Sequence, residues 1–224
     1  MADPVHFTLA ITPESLTRWR VARDDVMTGT AELTAAVPMS YFVFLRMQPI
    51  LGLSIHDWLG RDPDRGLYGS VSYRRTGAVF RVGDRVRAHS RVTDRKQVES
   101  PRGLLTVTTL TTDYQSDGNG ALSESVRMID LPASDAGGAP AARAPAESAD
   151  AAPGAGFVPL ATLPGLTCRQ LAWMTVETGD MNPLHLDPGY ARQRGFADVV
   201  APAPLVCACI ERAVVEHLGR EPAG

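Results

Sequence analysis

Asp180 and His185 stand five residues apart in the stretch Thr178-Gly179-Asp180-Met181-Asn182-Pro183-Leu184-His185-Leu186-Asp187-Pro188. A carboxylate beside an imidazole is the smallest set of groups able to move a proton onto or off water near neutral pH. Taken alone, the pair also fits a blander reading, in which Asp180 caps a turn and His185 is a buried histidine satisfied by a backbone carbonyl. What decides between them is how the chain presents the two side chains.

The flanking residues predict a loop between two helices. Thr167 with Gln170 has the spacing of a capping box, and Leu171 and Met174 supply part of an apolar face, so a helix is expected from Cys168 to Glu177, stopped by Gly179. Downstream, Asp187 suits an N-cap, Pro188 a first helical position and Gly195 the residue past the end, which predicts a short helix from Gly189 to Arg194. Between them Asn182-Pro183 forces a turn, because a residue before proline is pushed out of the helical region. His185 is therefore expected to leave a stiff corner and fold back toward Asp180.

Asp180, Asn182, Pro183, His185 and Asp187-Pro188, followed by Tyr190-Ala191 and Gly195-Phe196, resemble the signature of the MaoC-like (hydratase 2) enoyl-thioester hydratases and dehydratases. The resemblance implies a hot-dog fold, an antiparallel sheet wrapped around a central helix. It implies reversible hydration of a trans-2-enoyl thioester, or loss of water from an (R)-3-hydroxyacyl thioester, on coenzyme A or an acyl carrier protein in fatty-acid or polyketide metabolism. Asp180 and His185 would be catalytic, Asn182 and Ala203 would bind substrate, and neither a metal nor an organic cofactor is needed. One departure stands out. The family continues with His-Gly at the start of its central helix, and here Pro202 and Ala203 stand in those places. The glycine N–H would polarise the thioester carbonyl; Ala203 keeps an N–H but adds a methyl group, and a misaimed oxyanion donor costs roughly 3–4 kcal/mol in an enzyme that depends on one. A non-catalytic hot-dog subunit that binds acyl thioesters or supports a catalytic partner is therefore a second reading.

The 224 residues carry a net charge of −3 and are 44% apolar, enough for a substantial core and no electrostatic reason to expect nucleic acid as partner. No apolar run approaches a membrane span and the N-terminus lacks the layout of a signal peptide, so a cytoplasmic protein is expected. Cys207 and Cys209, two residues apart on one helix, would face different directions, which argues against a shared metal.

Residues 132–156 are mostly Ala, Pro, Gly, Ser and Asp and read as a flexible linker. Residues 1–131 predict a strand over His6 to Ile11, a helix from Thr12-Pro13-Glu14-Ser15 through Arg23, and a buried helix within Val37 to Leu53. Four strands follow, over Leu67 to Arg75, Arg85 to Lys96, Leu104 to Tyr114 and Leu122 to Leu131, with turn residues between them. That order is an α+β hot-dog unit, complete and, with no histidine near Arg23 to Gly29, non-catalytic. Residues 157–224 predict a strand over Phe157 to Leu163, the catalytic loop and a central helix from Leu205 to Leu218 with Val206, Ile210, Ala213, Val214 and His217 along one face. No meander follows, so the second unit reads as partial: the first unit's sheet extends over the helix, a partner chain supplies strands, or the sequence is a shortened form, and the favoured expectation is an incomplete or partner-dependent enzyme, a homodimer or a heteromer with another hot-dog chain, with reduced activity.

Overall fold

The computed structural model describes residues 2–22, 37–47, 55–62, 65–101, 103–132 and 165–218. The elements, in chain order, are β1 (Val5–Ala10), α1 (Pro13–Ala22), α2 (Ser40–Met47), α3 (Ile55–Leu59), β2 (Gly66–Arg75), β3 (Arg85–Ser100), β4 (Gly103–Ser116), β5 (Ala121–Asp130), α4 (Cys168–Thr178), α5 (Pro188–Gln193) and α6 (Ala203–Leu218), with a 3-10 turn at Pro183–His185. The expected strand over Phe157 to Leu163, the stretch around Pro49 and nearly all of the expected linker lie outside the described residues.

Alternation sets the sheet. In β3, Val86, Ala88 and Ser90 are buried while Arg85 and Arg87 face out, the period of a strand with one covered face. All neighbouring strands run antiparallel in the order β1-β3-β4-β5-β2. The β3–β4 hairpin is longer than the expected strands because pairs such as Val98↔Leu105 carry the ladder to its turn.

The helix inside Val37 to Leu53 is α2, and it is apolar nearly all round, the composition of a helix with no solvent face. Tyr41, Phe42, Phe44 and Leu45 pack with Val86, Ala88, Tyr114 and Leu122, whereas Val43 packs with Leu110, Val126 and Met128. The sheet thus meets α2 on two sides. Its one cation, Arg46, is buried: Nε donates to Glu124 Oε2 at 2.7 Å, Tyr114 Oη donates to the same oxygen at 3.0 Å, and Nη1 donates to Tyr68 Oη at 3.3 Å.

The segments on either side of residues 133–164 share a core. Leu171 and Met174 of α4 and Leu205 and Ala208 of α6 join the cluster that holds Phe7, Leu16 and Trp19. Two carboxylates tie the joint. Glu177 on α4 pairs with Arg18 on α1, and Glu211 on α6 accepts from the amides of Met39 and Ser40 at 2.7 and 2.9 Å, capping the start of α2. On α6, Pro204, Leu205, Ala208 and Ala213 are buried, whereas Val206 and Ile210 are 38% and 53% exposed.

Candidate active site

The loop that carries Asp180 and His185 is fixed at both ends by short-range bonds. The capping box at the start of α4 is complete: Thr167 Oγ1 accepts from Gln170 N–H, and Gln170 Oε1 accepts from Thr167 N–H at 2.9 Å. Gly179 ends the helix at φ 70°, a left-handed conformation that glycine adopts at no steric cost. Asn182 Oδ1 accepts from Leu184 N–H at 3.0 Å, which with Pro183 sets the 3-10 turn. Asp187 Oδ1 accepts from Gly189 and Tyr190 N–H at 2.7 and 3.0 Å and starts α5. Leu184 O, finally, accepts from Val200 N–H at 2.8 Å.

This frame brings His185 Nε2 to 3.3 Å from Asp180 Oδ2 and His185 Nδ1 to 2.6 Å from Val200 O. A carbonyl only accepts, so Nδ1 carries a hydrogen and Nε2 is the nitrogen that changes protonation. The carbonyl bond of the blander reading is present, yet it occupies one ring nitrogen and aims the other at Asp180. Burial opposes ionisation of Asp180, but the His185 hydrogen bond and charge, with the Asn182 N–H, outweigh it and hold the carboxyl below its ordinary value. For His185 burial again works against the charged form, and Asp180 and the Val200 carbonyl together raise the imidazole above 6.5. Each group thus favours the charged form of the other, a carboxylate beside an imidazolium.

Asp180 and His185 open onto a cavity of about 570 Å³ that Asn182 and Ala203 also line. Asn182 is 4% exposed and braces the loop through its side-chain oxygen. Ala203 is the first residue of α6. Pro204 has no N–H, and the Leu205 and Val206 amides both bond Pro202 O at 3.0 and 3.2 Å, so of the first-turn amides the one not engaged by Pro202 is that of Ala203. Cys207 lies on the same wall. Burial and the charge of Glu124 push its thiol up to about 11, so it is a protonated thiol and a poor nucleophile near neutral pH. Among the described residues no group of three or more His, Cys, Asp or Glu side chains is placed to hold a metal ion.

The opposite wall was not anticipated. His56 on α3, Arg61, and Leu67, Tyr68 and Val71 of β2 face the same cavity, so the part of the chain read as non-catalytic contributes polar groups to it. No local spacing marks them. His56 and Arg61 reach the cavity through the packing of α3 and β2, which a linear pattern does not encode.

No protein-family model matches the chain, and no curated protein matches it in sequence. Solved structures do match. The chain is similar to HtdX of Mycobacterium tuberculosis, at 17% identity and TM-score 0.61 over 93% of this chain and 74% of that one. A MaoC-like dehydratase matches at 12% identity and TM-score 0.69, over 97% and 78% of the two chains. A MaoC-like dehydratase from Phytophthora capsici matches at 14% identity and TM-score 0.58, over 96% and 75%. At these identities the likeness establishes the fold. This chain has the α+β hot-dog fold of the MaoC-like dehydratases, with one complete unit and part of a second. No described helix is long and apolar enough to cross a membrane.

Proposed function

We propose that the protein catalyses reversible syn hydration of trans-2-enoyl thioesters, or equally dehydration of (R)-3-hydroxyacyl thioesters, carried on coenzyme A or an acyl carrier protein. The observation that carries this reading is the Asp180–His185 pair at 3.3 Å in a cavity that Ala203, the first residue of α6, also lines. In the hydration direction a water lies between Asp180 and His185. Asp180 takes its proton as the oxygen bonds to C3, and the π electrons move through C2 onto the thioester oxygen. The Ala203 N–H at the helix start steadies that charge, and His185 Nε2–H then protonates C2. Transfer of the proton from Asp180 to His185 restores the starting state, so atoms and charge balance without a cofactor.

The test is loss of absorbance of the conjugated enoyl thioester on adding crotonyl-CoA and longer enoyl-CoAs. Asp180→Ala and His185→Ala should each abolish it while leaving the circular-dichroism spectrum unchanged. Wild-type rates in both variants would move the chemistry elsewhere. The second reading, a subunit that binds acyl thioesters without catalysis, draws on Pro202-Ala203 in place of His-Gly; thioester binding by wild-type protein with no hydration, alone or beside another hot-dog chain, would establish it.

A further inference from the structure

His56 and Arg61 take no part in the proton transfers above. The Arg61 side chain is 1% exposed; Nε donates to Asp130 Oδ1 at 2.7 Å and Nη2 to Ile129 O at 3.2 Å. Its Nη1 and the Nδ1 of His56 are both buried, and neither has a hydrogen-bond partner among the described residues. The two side chains converge at Gly66, where an added Cβ would sit 3.2 Å from Arg61 Nη2 and 3.3 Å from His56 Cε1. Both line the cavity that holds Asp180 and His185, beside the apolar Leu67, Val71 and Met128. Buried polar atoms in native structures nearly always find partners, so two orphans on one wall ask what they bond.

Charge narrows the answer. Asp130 balances Arg61, Asp180 balances His185, and burial together with the Arg61 charge lowers the His56 imidazole below its ordinary value, leaving it neutral at pH 7. The wall lacks an acceptor rather than a negative charge, and a further buried anion would have no partner of its own. A carbonyl oxygen has two lone pairs and can take one bond from Arg61 Nη1–H and one from a His56 Nδ1–H tautomer once the two side chains turn these covered nitrogens into the cavity they line. The thioester carbonyl itself is assigned to Ala203. We propose that His56 and Arg61 form a subsite for a neutral carbonyl oxygen on the acyl chain, so that the preferred substrates are oxo-acyl thioesters rather than plain hydrocarbon ones. This rests on the acyl-thioester reading of the cavity.

Saturated thioesters test it without turnover. Isothermal titration calorimetry would compare octanoyl-CoA with chain-matched acyl-CoAs in which one oxo group is walked along the chain. At least one oxo isomer should bind about tenfold more tightly than octanoyl-CoA, the effect of a single well-made bond. Arg61→Gln and His56→Phe should each bring that ratio close to one; if loss of the Asp130 pair unfolds Arg61→Gln, His56→Phe decides. Equal affinities for plain and all oxo chains would overturn the subsite, as would a ratio that survives substitution. So would tighter binding of a terminal carboxylate chain than of the best oxo chain. An Arg61-dependent ratio in a protein that never hydrates crotonyl-CoA would uphold the subsite and defeat the hydratase reading; hydration without the ratio would do the reverse.

Discussion

Asp180 and His185 shift each other in opposite directions, and the signs fix a pH window. Hydration by the proposed route needs the carboxylate and the imidazolium together. With Asp180 below 3.8 and His185 above 6.5, both forms dominate between those values. The rate should hold level across that range, fall as pH rises through the raised His185 value, and fall on the acid side only below the ordinary carboxylate range. Stability follows the same signs: the Asp180 contribution is lost as pH drops through its lowered value, and that of His185 as pH climbs through its raised one. In Asp180→Asn the carboxylate is gone and burial dominates, so the His185 midpoint read from ring proton resonances should drop; an unmoved midpoint would show that the pair is not coupled. Ala203 supplies a second check. Ala203→Gly removes the methyl group beside the thioester path and should raise kcat, with a ceiling of roughly a few hundredfold, the worth of one oxyanion donor. No gain in an active protein would mean that the Ala203 amide is already well aimed.

Between elements, carboxylates do the joining. Glu211 reaches from α6 to the Met39 and Ser40 amides, an N-cap supplied from far along the chain in place of a local Ser or Asp. Glu211→Ala should cost about 1–2 kcal/mol in urea unfolding, near the upper end for a cap because the helix dipole loses a charge at the same time. A change within error would show that water replaces the carboxylate. The contrast between caps explains what was legible in the sequence. Thr167 with Gln170, Gly179, and Asp187 with Pro188 act within a few residues of themselves, so their types and spacing announced α4, its end and α5. Strand alternation such as Val86-Arg87-Ala88 is likewise local. Glu211 capping α2, Glu124 holding Arg46 under the sheet, and His56 with Arg61 behind Asp180 depend on chain folding across many residues. Nothing in their immediate neighbours sets them apart from surface charges.

For the whole molecule, the question is what the exposed apolar side chains meet. One side of α6 is covered within the chain, because Leu205 and Ala208 are fully buried in the core shared with α2 and α4. Other apolar groups are exposed, on α4, on the loop and on the opposite side of α6. Trp173 and Val176 on α4 are 43% and 63% exposed, Met181 beside Asp180 is 65%, and Val206 and Ile210 on the cavity wall are 38% and 53%. Single exposed apolar side chains are ordinary surface, but of the ten large ones exposed among the described residues seven fall between Leu166 and Ile210, on the segments that carry the loop and the cavity wall. A second hot-dog chain, of this or another kind, is the proposed cover, and it would close the α6 side of the cavity. Light scattering should then give a dimer or larger species, and Val176→Glu with Met181→Glu should shift it toward monomer while raising binding of a dye that reports apolar surface. The wild-type monomer alone, at low concentration with no dye binding and full hydratase activity, would mean that these side chains are merely solvated. The first unit's sheet and the α4–α6 layer would then suffice for catalysis within one chain.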